Sequence, residues 1–301
     1  MISKHLVSTV IAIPILYVLK HFANAFPYTQ QGWFCDDDEI RYPFRENTIE
    51  SNFMLKIIAV VSTFLFLSGE YSLIRHLTRK GRRIAVQPGK VHPFINSFLF
   101  LISSFICSSL ATIVTTTFAK RIVCRLRPNF LAVCQPDLKK LCTPDAHLFI
   151  QDYECLGRFD DDEFYSFPSG HSSSAANFAV FMIIYLQKRC KFHELIRSFI
   201  QFFIFLFAVF VWSSRVRDYR HRLSDVFGGV ILGGLFATYF VTHVLRNFRS
   251  HFYVLKDYDE CETESRFGQL LMPTIVVDSS EKSAAPSDYG SLDDGPGSSR
   301  S

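Results

Sequence analysis

The sequence is dominated by long apolar runs separated by short charged segments. The clearest run extends from Val91 to Ala119 and contains no Asp, Glu, Lys or Arg. A helix that crosses the hydrocarbon core of a bilayer needs about 20 mostly apolar residues and satisfies its backbone polar groups internally. We therefore predict an all-α, polytopic membrane protein with six transmembrane helices. The predicted spans are about 6–26, 53–74, 93–119, 172–187, 198–214 and 226–245.

The first apolar segment has a second interpretation as a cleaved signal peptide. Ala23-Asn24-Ala25 resembles a small-x-small cleavage site that follows an apolar core. However, Lys20 and His21 lie between that core and the site, and the N-terminal region carries only Lys4 and His5. We therefore favour a retained span, and the sidedness of the later loops is the same in either case.

Charge alternates between the loops and predicts which side of the membrane each one faces. The loops after the second and fourth spans are basic, whereas the loop after the first span is acidic. Cytoplasmic loops carry an excess of Lys and Arg. We therefore predict that both termini are cytoplasmic and that 120–171 and 214–225 face the outside or a lumen. Glu70 lies near the inner end of its span, so we interpret it as a structural partner of a nearby cation.

The overall charge and the cysteine spacing argue against two kinds of site. The net charge of +4 is modest and the cations are scattered between apolar runs, so nucleic-acid binding is not predicted. None of the eight cysteines forms a CxxC pair, so no metal site is expected. Pairs among Cys134, Cys142 and Cys155 would cross-link the long loop after the third span, with the connectivity left open.

Three polar clusters border the segments predicted to face away from the cytoplasm. In the first cluster, Lys120 and Arg127 lie seven residues apart and Pro128 follows. This spacing places both cations on one helix face, and the proline predicts that the helix ends at Arg127. The pair could anchor the helix end among lipid headgroups or bind an anion.

The second cluster is Pro168-Ser169-Gly170-His171, which opens the fourth span. Ser and Gly are typical of a helix N-terminus, where unpaired N–H groups and the helix dipole favour an anion. Gly170 would let the backbone approach a ligand closely. A capped helix with an incidental histidine is the simpler interpretation of this motif alone.

The third cluster lies between the fifth and sixth spans. His221 and Asp225 are four residues apart, so on a helix they would share a face. Asp225 could then accept a hydrogen bond from one ring nitrogen of His221 and leave the other free to attack. Arg215 lies six residues before His221, so we predict a bend between them. The neighbouring cations are interpreted as solvated or headgroup-facing charges: Arg217, Arg220 and Arg222.

The predicted topology brings the three clusters together. Spans three and five end, and spans four and six begin, on the same side of the membrane. Three cations, helix-end N–H groups, two histidines and a carboxylate would then meet at one surface. This combination suits phosphoryl transfer, which depends mainly on positioning and charge stabilisation.

The clusters read Lys-x6-Arg-Pro, Pro-Ser-Gly-His and Ser-Arg-x5-His-x3-Asp. This pattern resembles the three-part signature of the type 2 phosphatidic acid phosphatase superfamily, and every signature position is filled. The closer resemblance is to the animal lipid phosphate phosphatases, through Gly32–Cys35, Ile40–Pro43 and Arg125–Cys134. It covers about residues 1–250. Two departures are Phe167, where several relatives have Tyr, and the lack of a glycosylation sequon.

The resemblance implies a role for each residue. His221 would attack phosphorus and form a phosphohistidine, Asp225 would hold its tautomer, and His171 would protonate the leaving alkoxide. No metal or other cofactor would be needed, because cations supply the positive charge. The groups implied to hold the phosphate are Lys120, Arg127, Arg215, Ser169 and Gly170.

The resemblance also implies the activity of the whole chain. Residues 1–250 would form a membrane phosphatase for phosphatidate, lysophosphatidate, sphingosine 1-phosphate and ceramide 1-phosphate. The cytoplasmic tail over 251–301 lies outside the resemblance, and its composition, rich in Ser, Asp, Glu, Gly and Pro, predicts that it is disordered. We expect the plasma membrane rather than an endomembrane, with homo-oligomer formation left open. One alternative is a phosphatase or phosphotransferase for small phosphates such as sugar phosphates. A non-catalytic lipid-binding member would be marked by loss of His221, His171 or Arg215, and all three are present.

Overall fold

The computed structural model describes residues 4–27, 29–80, 82–84, 92–142, 147–157, 160–248 and 255–257. Two antiparallel two-stranded sheets occur in this part of the chain, β1 with β3 and β2 with β4. The strands are β1 (Trp33–Phe34), β2 (Arg82–Ile84), β3 (Phe149–Ile150) and β4 (Leu255–Asp257). The helices are α1 (Lys4–Ala25), α2 (Ser51–Arg79), α3 (Pro93–Val123), α4 (Phe130–Cys134), α5 (Leu138–Leu141), α6 (Gly170–Arg189), α7 (Glu194–Arg217) and α8 (Leu223–Tyr239).

Six of these helices carry the six predicted spans, and the all-α prediction is confirmed. Five of them, α1, α2, α3, α7 and α8 with its π-helical continuation, are long and apolar enough to cross a membrane. The predicted span 172–187 lies within α6, which does not reach that level of hydropathy. Apart from β4, the predicted tail lies outside the described residues.

The lower hydropathy of α6 follows from its central position. It packs against α2, α3, α7 and α8, and most of its side chains are buried, including Ser172, Ser173 and Asn177. A helix enclosed by other helices can carry polar side chains, because those side chains find hydrogen-bond partners inside the bundle. The Asn177 amide, for example, lies 2.7 Å from the hydroxyl of Ser108 on α3. With 20 residues, α6 is about 30 Å long, roughly the thickness of a hydrocarbon core.

Two glycines of α8 bring it against the backbone of α6. A Cβ atom on Gly229 would lie 2.5 Å from the carbonyl oxygen of Ser169, and one on Gly233 would lie 2.0 Å from that of Ser173. Small residues four apart allow this close packing of membrane helices. The contact fixes the start of α8 beside the start of α6, where the Ser169 amide donates a hydrogen bond to the Asp225 carbonyl at 3.0 Å.

The loops between α1 and α2 and between α3 and α6 fold together at one end of the bundle. They share a small apolar core that includes Trp33 and Phe130, and β1 pairs with β3 across it. Disulfides join Cys35 to Cys142 and Cys134 to Cys155. Cross-linking of the long loop was predicted correctly, but Cys142 pairs with the first loop.

A buried ion pair lies at the opposite end of the bundle. Glu70 and Arg189 are bonded to one another, and the hydroxyl of Ser97 lies 2.7 Å from Oε2 of Glu70 and 2.9 Å from Nη2 of Arg189. Both charged side chains are almost completely shielded from solvent. The prediction that Glu70 has a structural cation partner is therefore confirmed.

Candidate active site

A cavity of about 520 Å³ lies where α3 and α7 end and α6 begins. The three predicted clusters therefore meet at one end of the bundle, as the topology indicated. Ser169 and Asp225 are completely buried and do not line this cavity. The six predicted site residues that do line it are Lys120, Arg127, Gly170, His171, Arg215 and His221.

The ring of His221 is held by the backbone of another loop. The chain leaves α7 after Arg217 and turns at Tyr219, which has a left-handed φ of 55°, so the predicted bend is present. The Nδ1 atom of His221 lies 2.7 Å from the carbonyl oxygen of Ser166. Because a carbonyl oxygen only accepts, Nδ1 carries the proton and Nε2 of the neutral ring keeps its lone pair.

The predicted hydrogen bond between His221 and Asp225 is wrong, because α8 begins only after His221 and the two residues share no helix face. Oδ2 of Asp225 accepts from the Ser166 hydroxyl at 2.6 Å and from the Arg222 amide at 2.9 Å. Its Oδ1 accepts from Arg125 at 2.9 Å. Ser166 therefore connects the two residues, through its hydroxyl on one side and its carbonyl on the other.

The surroundings of His221 favour its neutral form. Burial lowers the pKa of His221 well below its ordinary value, and the positive charges of Arg127 and Lys120 lower it further. Only the unprotonated nitrogen can act as a nucleophile. The site thus holds the ring in the state and orientation that an attack by Nε2 requires.

The two cations of the first cluster do not share a helix, contrary to the prediction. The helix α3 ends before Cys124, which takes a left-handed φ of 46° and redirects the chain. Arg127 reaches the cavity from the following loop, where its amide donates to the carbonyl of Glu163 at 3.0 Å. Its guanidinium binds the carboxylate of Asp162. Lys120 reaches the same cavity from the end of α3.

The first residues of α6, Gly170 and His171, line one side of the cavity. Ser169 is the N-cap residue, and its hydroxyl accepts from the Ser172 amide at 3.4 Å, so its side chain serves the helix rather than the cavity. A Cβ atom on Gly170 would meet nothing nearer than a Thr116 methyl at 4.0 Å. The space beside Gly170 is therefore open to a ligand. Nε2 of the neighbouring His171 lies 3.3 Å from the hydroxyl of Ser51.

Arg215 is fixed by residues that the sequence did not indicate. Its Nη2 lies 2.9 Å from Oδ2 of Asp218, and its Nη1 lies 3.1 Å from Oδ1 of Asn47. Asp218 also accepts from the Thr48 hydroxyl at 2.6 Å. The spacing of three residues on one helix could have suggested Asp218. The contribution of the first loop had no local signal.

The prediction that three arginines are solvated is correct for Arg217 but wrong for Arg220 and Arg222. The side chain of Arg220 is only 11% exposed, pairs with Glu163 at 3.1 Å and lines the cavity. Arg222 donates to the carbonyl of Leu126 at 2.9 Å. Arg220 is covered by the segment that carries Glu163, whereas Arg222 is covered by the loops that carry Leu126 and Glu39.

Apolar side chains complete the cavity wall. Met54, Leu55 and Ile113 face the same space as the histidines and cations. Within the part of the chain that the structure describes, no group of three or more His, Cys, Asp and Glu residues could hold a metal ion. A cavity with cations on one side and apolar side chains on the other suits a molecule with a phosphate group at one end and a hydrocarbon chain at the other.

A bundle of membrane-length helices with two histidines and several cations around one cavity defines an integral membrane enzyme of phosphoryl transfer. The comparisons with known proteins give its family. The PAP2 superfamily matches residues 99–249, a range that contains all three clusters. The chain belongs to the lipid phosphate phosphatase family of that superfamily.

Three curated relatives show the extent of the similarity. Human phospholipid phosphatase 2 is 34% identical over 242 residues, which cover 78% of this chain and 79% of the human protein. Rat phospholipid phosphatase 2 is 34% identical over 80% of this chain and 85% of its own length. Mouse phospholipid phosphatase 1 is 34% identical over 69% of this chain and 72% of its own length. No solved structure matches the chain.

Proposed function

We propose that this protein hydrolyses the phosphate monoester of membrane lipids: phosphatidate, lysophosphatidate, sphingosine 1-phosphate and ceramide 1-phosphate. The observation that carries the proposal is the single cavity in which both histidines and the cations meet apolar side chains of α2 and α3. The family relationship supports the same activity. Its role would be lipid phosphate turnover in phospholipid metabolism and lipid signalling.

The proposed reaction has two steps, and His221 takes the phosphoryl group in the first. Its Nε2 attacks phosphorus while the P–O bond to the lipid alcohol breaks. The product of this step is a phosphohistidine in which Nδ1–H of His221 still donates its hydrogen bond to the Ser166 carbonyl oxygen. Lys120, Arg127 and Arg215 stabilise the charge on the phosphoryl oxygens, together with the amides at the start of α6.

His171 serves as the proton donor and then as the acceptor. In the first step it gives a proton to the leaving alkoxide, which departs as the lipid alcohol. In the second step it removes a proton from water, which attacks phosphorus and releases His221 and inorganic phosphate. Its position on the cavity wall at the start of α6 supports this assignment.

The apolar wall favours a lipid over a small phosphate. Met54, Leu55 and Ile113 offer hydrocarbon surface next to the cations. A sugar phosphate would leave that surface exposed to water and would gain little binding free energy from it. An acyl or sphingoid chain would bury the surface and bind more tightly. The assignment of the lipid class therefore rests on the cavity wall as well as on the family.

We place the catalytic cavity on the extracellular or lumenal side, with both termini in the cytoplasm and the plasma membrane as the site of residence. The basic loops after the second and fourth spans support this orientation. The two disulfides lie in the loops beside the cavity, and disulfides persist in oxidising compartments. Labelling of intact cells with a membrane-impermeant reagent at an introduced loop cysteine would test this orientation.

The activity is tested with the purified full chain in detergent micelles. Phosphate release from phosphatidate is measured in excess EDTA, alongside sphingosine 1-phosphate, ceramide 1-phosphate and a sugar phosphate. We expect release from the lipids, and abolition by His221→Ala but not by Arg217→Ala, since Arg217 is an exposed cation of the same segment. Undiminished turnover by His221→Ala would reject the mechanism, and a preference for the sugar phosphate would reject the lipid assignment.

A further inference from the structure

The guanidinium of Arg127 already holds an anion that belongs to the protein. Asp162 lies in a short 3-10 helix, Asp161–Phe164, that borders the cavity, and its carboxylate binds Nη2 of Arg127. Three positive charges act on this one carboxylate, those of Arg127, Lys120 and Arg220. Partial removal from water raises the pKa of Asp162, but the three cations outweigh that effect and hold the pKa below its usual value.

The two partners of this ion pair differ in their freedom to move. The Arg127 side chain is 7% exposed, whereas the Asp162 side chain is 54% exposed. The backbone of the acidic segment is fixed to Arg127 by the hydrogen bond from the Arg127 amide to the Glu163 carbonyl. A phosphate entering the cavity can therefore displace only the Asp162 carboxylate, which rotates into water while Arg127 and the backbone stay in place.

The charge of the incoming group decides whether this exchange is favourable. A phosphate monoester carries close to two negative charges above its second pKa of about 6, whereas a phosphodiester carries one. Replacing Asp162 by a diester exchanges one single charge for another and gains little. Replacing it by a monoester adds a negative charge where several cations converge in a partly dry site, and Coulomb attraction there is stronger than in water.

We propose that Asp162 is a specificity-determining residue, which occupies Arg127 between turnovers and restricts the cavity to doubly charged phosphate monoesters. The inference rests on the proposed function, because it takes Arg127 to be a phosphate ligand. In this role Asp162 competes with the substrate for Arg127, which differs from orienting Arg127 for the substrate. A carboxylate that merely orients Arg127 would strengthen anion binding, whereas a competing carboxylate weakens it.

The test compares Asp162→Asn with Asp161→Asn in the full chain at pH 7.5. Asp161 is an exposed neighbour in the same 3-10 helix and does not line the cavity, so its substitution is a matched change of charge. Inhibition constants are measured for orthophosphate and for the monoanion dimethyl phosphate. In Asp162→Asn we expect both anions to bind about tenfold more tightly, because neither has to displace a carboxylate from Arg127, so that the monoanion also occupies the cavity. Asp161→Asn should resemble the wild type, and Asp162→Glu should restore the weaker wild-type binding of both anions.

Unchanged or weaker binding of both anions by Asp162→Asn would overturn the inference, as would an equal gain in Asp161→Asn. Calorimetric titration with the same two anions provides a readout that does not depend on turnover. A wild-type chain that binds orthophosphate but hydrolyses no lipid phosphate would therefore contradict the proposed function alone. Asp162→Ser serves as a second variant if the asparagine variant does not fold.

Discussion

Nδ1 of His221 lies 2.7 Å from the backbone carbonyl oxygen of Ser166, so the tautomer of the proposed nucleophile is set by a peptide group. A neutral carbonyl oxygen fixes the ring without adding a negative charge beside it. The nearby carboxylate of Asp225 is instead bonded to Arg125 and to the Ser166 hydroxyl. Asp225 thus holds the loop that carries this carbonyl, through its hydrogen bond with the Ser166 hydroxyl.

This arrangement predicts that Ser166→Ala lowers kcat moderately. The carbonyl that orients His221 remains, but the loop loses its hydrogen bond to a carboxylate, an interaction of about 1.5–3 kcal/mol. We expect a decrease in kcat of about tenfold to a hundredfold with little change in KM, measured with phosphatidate in micelles. His221→Ala serves as the reference for complete loss. A Ser166→Ala variant as inactive as His221→Ala would mean that the hydroxyl itself takes part in the reaction.

The electrostatics of the cavity predict that His221 stays neutral at pH values where an ordinary histidine is protonated. Burial and the charges of Arg127 and Lys120 lower its pKa well below 6.5. Between that lowered pKa and pH 6.5 the ring therefore remains able to attack, and protonation of His221 removes activity only at still lower pH. Arg127→Gln should shift the pKa of His221 upward, because it removes a positive charge.

The measurement is a pH titration of the chain with isotope-labelled histidine, followed by NMR in micelles, with His221→Gln used to assign the resonance. The value of kcat should also fall as the pH rises past the point at which His171 loses the proton it donates. A His221 resonance that titrates at or above pH 6.5 would contradict the assignment of a neutral nucleophile.

Two glycines on neighbouring helices predict opposite results for the same substitution. A Cβ atom on Gly170 meets only a Thr116 methyl at 4.0 Å, so Gly170→Ala should fold normally and obstruct the phosphate. A Cβ atom on Gly233 would lie 2.0 Å from the Ser173 carbonyl oxygen, so Gly233→Ala should force α6 and α8 apart.

We expect Gly170→Ala to raise KM and the inhibition constant of orthophosphate by about tenfold with unchanged thermal stability. For Gly233→Ala we expect a loss of stability of about 1–3 kcal/mol from overpacking. Thermal unfolding and inhibition assays on both variants separate the two effects. A Gly170→Ala variant with wild-type phosphate affinity would show that the substrate does not approach this backbone.

The helices and the convergence of the clusters could be predicted from the sequence, because both follow from periodic or topological signals. The apolar runs place the helices, and their alternation brings Lys120, His171 and Arg215 to one side. The polar residues of α6 make it the least apolar of the six helices. The sequence does not reveal that one of them, Asn177, is enclosed by other helices.

The contacts made by the loops could not be predicted. Thr48 contacts Asp218, 170 residues away in sequence, and Arg127 contacts Asp162, 35 residues away. No periodic sequence pattern indicates either contact. The left-handed turn at Cys124 involves a residue that rarely takes this conformation, so the sequence predicts a later end of α3 than the structure shows. Errors about neighbours of the site therefore arise where non-local loop packing determines the geometry.

The buried ion pair at the far end of the bundle predicts a loss of stability without a loss of catalysis. Glu70 lies about 28 Å along α2 from Ser51, which borders the cavity. Glu70→Gln removes the carboxylate that is bonded to the buried Arg189, and breaking such a buried pair costs about 3–5 kcal/mol. The double variant Glu70→Leu/Arg189→Met removes both charges and should recover most of that stability.

We expect denaturant unfolding in micelles to show that the double variant is more stable than Glu70→Gln, while kcat of each folded variant equals that of the wild type. A lowered kcat in folded Glu70→Gln would show that this pair influences the distant site, and equal stability of the single and double variants would show that the uncompensated charge is relieved by water entering the bundle.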